Sequence, residues 1–214
     1  MVIKKKSNEM KYDIQPGVKG LIFDLDGTLV DSMPYHLASW KIACNSFGIK
    51  MTEEYLRQHA GTPGWAIARE LIALHQLEEK VTVEEFIGKK NSLFSDMQKW
   101  IKPIEPVAAI VKKYFGTLPM AIGTGGSRST VERTLKYAGL TRYFDIIVTA
   151  NDIQNFKPHP ETFLKCAEAM KVAPYLIEVF EDGDLGMRAA VEAGMIATNV
   201  QSWYDSDWEK TIEI

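Results

Sequence analysis

Asp24 and Asp26 stand two residues apart at the end of the apolar run Leu21-Ile22-Phe23, immediately before a Gly27-Thr28 turn. A buried strand does not accommodate bare carboxylates, so the pair is expected at the strand's exit. Side chains at i and i+2 share one face of a strand, which directs both carboxylates into one small space. Crowded acids are costly unless a proton or a cation lies between them. The pair therefore suits a site that binds Mg²⁺ and performs acid–base chemistry.

Three further stretches combine an apolar run with polar groups at its end. After Met120–Gly123 comes Thr124-Gly125-Gly126-Ser127. Thr124 can donate its hydroxyl to a phosphate oxygen, and the free N–H groups of Gly125 and Gly126 at a helix start add an anion pocket. Lys157 precedes Pro158, which holds it extended, and Pro160 then starts a helix. A fixed lysine suits the charge of a phosphate. After Ile177–Phe180 come Glu181-Asp182-Gly183-Asp184. A carboxylate here that faces Asp24 across the sheet would complete an oxygen cage for Mg²⁺, with water filling the rest. Each stretch also has an ordinary reading: an N-cap with glycine hinges, a solvated lysine, a polar strand exit. Their joint placement, in order and at strand ends, favours the chemical one.

The elements that position these groups follow from hydrophobic spacing. Apolar strands are predicted at 18–23, 119–123, 144–149, 177–180 and 195–200, and helices at 127–138, 160–170 and 185–193 between the later ones. Unbroken apolar strands alternating with helices mean a parallel sheet covered on both faces, in which ligands bind beyond the carboxyl ends of the strands. The first strand precedes the second by roughly 100 residues, too long a gap for a loop in a compact domain. Most of that gap reads as helix. Leu37, Trp40, Ala43 and Phe47 recur at helical spacing up to Gly48, Thr52 caps a second helix, and Trp65, Ala68, Leu71 and Ile72 mark a third. Thr82 caps a fourth, running to Trp100, with Phe86, Ile87, Leu93, Phe94 and Met97 along one stripe. The expectation is an α/β chain with a discontinuous Rossmann-like core at 17–33 and 103–214. A helical cap at 34–102 is inserted after the first strand, and residues 1–16 form a polar extension.

The 214 residues are 46% hydrophobic and 25% charged with a net charge of −3, so nothing in the total favours nucleic acid or an anionic membrane. An anionic substrate needs a local positive site. Cys44 and Cys166 lie far apart in helix-like runs and read as buried free thiols in a reducing compartment. No apolar run approaches a membrane span, and residues 1–11 lack the apolar stretch of a secretory signal, which points to the cytoplasm. The expected working form is a monomer or weak dimer. Trp203 and Trp208 in the C-terminal tail could dock on the core or on a neighbour.

In sequence order the segments FDLDGTLVDS, IGTGGSR, FKPHPETF and VFEDGDLGMRAAVEAGM resemble the haloacid dehalogenase superfamily, in the branch with a helical cap after the first strand. The resemblance spans about residues 18–200. It implies Asp24 as nucleophile, Asp26 as general acid and base, and Thr124 and Lys157 as phosphoryl holders. It also implies Mg²⁺ held by Asp24, Asp182 and the Asp26 backbone carbonyl. Tyr35-His36 with Trp40 resembles the start of the cap in β-phosphoglucomutases and their phosphatase relatives. There His36 either contacts substrate or steers Asp26, unless it is a packing histidine. Those mutases carry a lysine and an arginine on a cap loop where this sequence has Ala60 and Gly64, which argues against a bisphosphate intermediate. The loop looks closer to the fructose-1-phosphate and 6-phosphogluconate phosphatases, with His59, Thr62 and Trp65 as candidate sugar contacts, although Trp65 could equally be core. Asp184, after Gly183 where many relatives have serine, could compete as a metal ligand. The implied activity is a Mg²⁺-dependent phosphatase acting on a small phosphorylated metabolite, with a sugar phosphomutase as the alternative. An Asp at 26 counts against a dehalogenase, and a paired acid has no use in a mere phosphate binder.

Overall fold

The computed structural model describes residues 14–59 and 61–205. The extension expected at 1–16 falls almost wholly outside them, as do Ala60 and Trp208. Five parallel strands, β1 (Gly20–Phe23), β2 (Met120–Gly123), β3 (Ile146–Val148), β4 (Ile177–Glu181) and β5 (Ile196–Asn199), form one sheet in the order β3-β2-β1-β4-β5. The strand order reverses direction at β1, the arrangement that opens a crevice beyond the carboxyl ends. Phe23 pairs with Ile122 on one side and Phe180 on the other, so the exits of β1, β2 and β4 lie level.

Alternation along the strands sends side chains to two faces, each covered by helices. Leu21 and Phe23 pack with Ile122, Phe180 and the apolar sides of α5 (Glu105–Tyr114) and α6 (Arg128–Tyr137). Ile22, Ala121 and Val179 pack oppositely, against α7 (Glu161–Met170) and α8 (Asp184–Glu192). The Rossmann-like α/β class read from the sequence is the one observed.

Between β1 and β2 the chain forms α1 (Met33–Ser46), α2 (Glu53–Gln58), α3 (Gly64–Leu74) and α4 (Val83–Met97). They share an apolar cluster of their own, centred on Trp40, Leu71 and Phe86. Thr52 caps α2 by accepting from the Tyr55 N–H at 3.1 Å, and Thr82 with Glu85 forms a capping box on α4. The fourth helix, expected to reach Trp100, ends at Met97 and tightens into a 3₁₀ turn over Gln98–Trp100. There the buried Gln98 amide donates to the Thr130 carbonyl (2.9 Å) and the Thr134 hydroxyl (2.7 Å), fastening this end of α4 to α6. Trp203 docks on the core, its ring edge-on to Phe180. Both cysteines are buried and unbridged, and among the described residues no helix is long and apolar enough to cross a membrane.

Candidate active site

Asp24 continues the β1 ladder, its N–H donating to the Phe180 carbonyl at 3.0 Å, and its side chain is buried at the strand exit. Lys157 Nζ donates to Asp24 Oδ1 and to Glu181 Oε1, both at 2.6 Å. Asp24, Glu181 and Asp182 each offer a carboxylate oxygen, and the three oxygens lie within 4.8 Å of one another. Thr28 Oγ1 donates to Asp182 Oδ1 at 2.7 Å, and the Gly183 N–H to Glu181 Oε2 at 2.8 Å. Two glycines make room for these carboxylates. A Cβ on Gly27, which also has φ +85°, would stand 2.4 Å from Asp182 Oδ2, and one on Gly186 would stand 1.7 Å from Glu181 Oε1.

Lys157 is only 4% exposed, so the surface-lysine reading does not hold. The loop that carries it is clasped at both ends. Asp152 accepts the Thr149 N–H (2.8 Å) and hydroxyl (2.7 Å) and Arg128 Nη2 (2.6 Å). Glu161 accepts the N–H groups of Gln154 (3.0 Å) and Asn155 (2.9 Å), which draw its carboxyl down to about 2.

The charges in this pocket do not balance. Burial, opposed by Lys157 but reinforced by Glu181 and Asp182, raises the Asp24 carboxyl well above its usual range. Burial and then Glu181 push Asp182 up to about 7. Burial alone would lower Lys157, yet Asp24 and Glu181 hold it as an ammonium above its ordinary value. Three carboxylates thus share one fixed cation. An all-oxygen donor set short of positive charge fits a hard divalent ion such as Mg²⁺.

Asp26 points elsewhere. Its Oδ1 accepts from Ser32 Oγ at 2.6 Å and lies 3.2 Å from His36 Nε2, a close but poorly aligned approach. His36 Nδ1 lies 3.0 Å from Lys90 Nζ, and the ring stacks on Phe94 at 3.9 Å between centroids. An ammonium only donates, so Nδ1 accepts and the imidazole proton is assigned to Nε2, facing Asp26. Burial would raise Asp26, but His36, Ser32 and Lys90 together bring it below its ordinary value. Burial and the neighbouring Lys90 lower His36, and burial brings Lys90, 5% exposed, down to about 8.

A cavity of about 280 Å³ lies between the strand exits and the helices α1–α4. Asp24, Asp26, Thr124, Gly125 and Asp182 line it from below and His36, Thr62 and Trp65 from above, while Lys157 lies behind Asp24 and Glu181. One expectation needs correcting: the Gly126 N–H is not free, because it donates to Thr124 Oγ1 at 3.1 Å. Asp184 is exposed in the first turn of α8, outside the carboxylate cluster, whereas Glu181 belongs to it. Ser32 and Lys90 were not singled out in the sequence. Lys90 does leave a signal, since it interrupts the buried stripe Phe86, Lys90, Phe94 on α4.

An α/β sheet whose first strand ends in paired aspartates, with a lysine and a further acid pair at neighbouring exits, defines a class of hydrolase. The family model of haloacid dehalogenase-like hydrolases matches residues 21–200, and the chain belongs to that family. The fructose-1-phosphate phosphatase YqaB of Escherichia coli (strain K12) is 38% identical over 184 residues, covering 85% of this chain and 96% of that protein. A phosphorylated carbohydrates phosphatase of Thermotoga maritima is 32% identical, covering 83% and 82%. The fold matches the crystal structure of β-phosphoglucomutase from Clostridium difficile with a TM-score of 0.74 at 24% identity, over 92% of this chain and 94% of that one.

Proposed function

We propose that this chain hydrolyses the phosphate monoester of a small sugar, with Asp24 as nucleophile and Asp26 as general acid and base. The observation that carries the reading is the Lys157 ammonium, 2.6 Å from both Asp24 and Glu181 behind a cavity that Thr124 also lines. Lys157 offsets the repulsion between the Asp24 carboxylate and an anionic phosphoryl group. Asp24, Glu181, Asp182 and the Asp26 backbone carbonyl would hold Mg²⁺, which supplies further neutralisation of the phosphoryl oxygens when bound.

Asp24 attacks phosphorus in line and the sugar oxygen leaves, giving an aspartyl-phosphate that splits one hard step into two. The Gly126 N–H on Thr124 Oγ1 leaves the hydroxyl proton to donate to a phosphoryl oxygen. Asp26 gives a proton to the leaving oxygen and then takes one from the attacking water. Its lowered value in the free site suits the base role, and an anionic phosphoryl group nearby raises it toward the acid role. Helices α1–α4 act as the cap, with His36 steering Asp26 and Thr62 contacting the sugar. Gly64 faces the Ile87 side chain and carries no charged group that could grip a second phosphate. The absence of a basic residue at this position supports water as the acceptor.

The test is phosphate release from a panel of sugar monophosphates with Mg²⁺ and with excess chelator. Release that chelator abolishes, without accumulation of an isomer, is expected. An isomerised ester in place of free phosphate would make the enzyme a phosphomutase, and release indifferent to chelator would refute the metal site.

A further inference from the structure

The segment that follows β5 crosses the exits of β4 and β1, the two strands that lead into the carboxylate cluster. The Val200 N–H donates to the Glu181 carbonyl at 2.8 Å. A 3₁₀ turn over Gln201–Trp203 comes next, and its Trp203 indole stands edge-on to Phe180, 6.2 Å between centroids at 68°. Tyr204 then reaches the β1 side. It packs, half-buried, against the main core, and its hydroxyl donates to the Gly27 carbonyl at 2.8 Å. Gly27 joins Asp26 to Thr28, and this turn lies hard against Asp182, where Thr28 Oγ1 donates to Asp182 Oδ1 at 2.7 Å. Residues 200–204 therefore grip the cluster from two sides, at Glu181 and at Gly27. None of the five lines the cavity, so whatever they contribute to its chemistry passes through the groups they hold.

We infer that Tyr204 is a positioning residue for the metal site: by fixing the Gly27 carbonyl, its hydroxyl sets how tightly Asp24, Glu181 and Asp182 hold a divalent cation. The inference rests on the metal-dependent phosphatase reading above and adds a residue that this reading does not use. Three carboxylates around one ammonium repel one another, so the cluster tends to spread when no further cation neutralises it. Spreading carries Asp182 outward together with Thr28 and the Gly27 turn. The Asp26 backbone carbonyl, expected as a further ligand, belongs to the peptide immediately before Gly27 and moves with the same turn. Tyr204 ties that turn to a ring seated on the core, which keeps the oxygens closer to the separation a cation needs. Groups that hold metal ligands from behind commonly change affinity by about 10- to 100-fold. Tyr204 acts one contact further back, through Gly27 and Thr28, so its effect falls below that range.

The experiment compares wild type with Y204F, which removes one hydroxyl and keeps the ring. Mn²⁺, a hard cation that takes the same oxygen ligands, is titrated into substrate-free protein and its binding read from the loss of the free-ion EPR signal. Phosphate release from a sugar monophosphate is measured against Mg²⁺ concentration, and thermal midpoints are recorded in chelator. In Y204F the Mn²⁺ dissociation constant and the Mg²⁺ concentration for half-maximal release are each expected to rise about fivefold, with kcat at saturating Mg²⁺ within about twofold of wild type. A dissociation constant within about twofold of wild type would overturn the inference and leave the phosphatase reading intact, whether or not the thermal midpoint or kcat falls. That outcome would make Tyr204 a support of the fold alone. A wild type that binds no Mn²⁺ and releases phosphate without Mg²⁺ would remove the metal site, and the inference with it.

Discussion

Replacing Lys90 with methionine should make the protein more stable and less active at neutral pH. Lys90 is buried among Trp40, Phe94 and His36 without a direct carboxylate partner among the described residues. Burial lowers it from 10.5 to about 8, which corresponds to about 3 kcal/mol held against the charged form. Between about pH 8 and 10.5 the unfolded chain keeps a proton that the folded chain has released, so stability from this group rises with pH across that window. The penalty is full below pH 8 and is relieved above it. Methionine has nothing to titrate. The stability advantage of K90M over wild type should therefore be greatest near pH 7 and shrink by about 3 kcal/mol by pH 10.5. Turnover should fall, because Asp26 loses the cation that supports it through His36. Urea unfolding of both proteins at several pH values, paired with phosphate release at pH 7, measures the two effects. A stability difference that does not vary with pH would refute the reasoning, as would undiminished turnover.

Lys157→Met leaves Asp24 and Glu181 buried without their shared cation; a loss of about 3 kcal/mol in unfolding free energy and about 10²–10³ in kcat is expected, measured by denaturant titration and steady-state kinetics. In metal-free protein Asp182 keeps its proton up to about pH 7, whereas the unfolded chain releases it near 3.8, so this group's contribution to stability falls as pH rises through that window. Saturating Mg²⁺ should remove that decline from thermal midpoints taken between pH 5 and 8, and equal slopes with and without Mg²⁺ would contradict the assignment. Burial pushes the thiols of Cys44 and Cys166 up to about 12, so at pH 8 both should react with a thiol reagent only as fast as the chain opens.

The groups that read clearly in the sequence are those fixed by local geometry. Asp24, Thr124 and Asp182 each stand at a set offset from an apolar strand, and parallel register carries them to one rim. Lys157 was legible through the prolines that follow it, Pro158 and Pro160, although the two carboxylates that bury it come from strands elsewhere in the sequence. The choice between Glu181 and Asp184 stayed open because neighbouring acids look alike until a helix begins. Glu181 is the last residue of β4, whereas Asp184 already belongs to α8 and faces solvent. Lys90 and Ser32 acquire their contacts only when α1 and α4 close around Asp26, which spacing within either segment does not reveal. Trp65 shows the same limit. Its helical spacing with Ala68 and Ile72 suits a core residue, and only the packed structure turns it to the cavity rim.

The central claim is that Asp24 carries the phosphoryl group between substrate and water. Borohydride reduction of the enzyme during turnover of a sugar monophosphate, followed by peptide mass spectrometry, tests it directly, because an aspartyl-phosphate is reduced to homoserine. Conversion at Asp24 only when Mg²⁺ and substrate are both present is the expected result. Turnover without conversion at Asp24, or conversion at another residue, would contradict it.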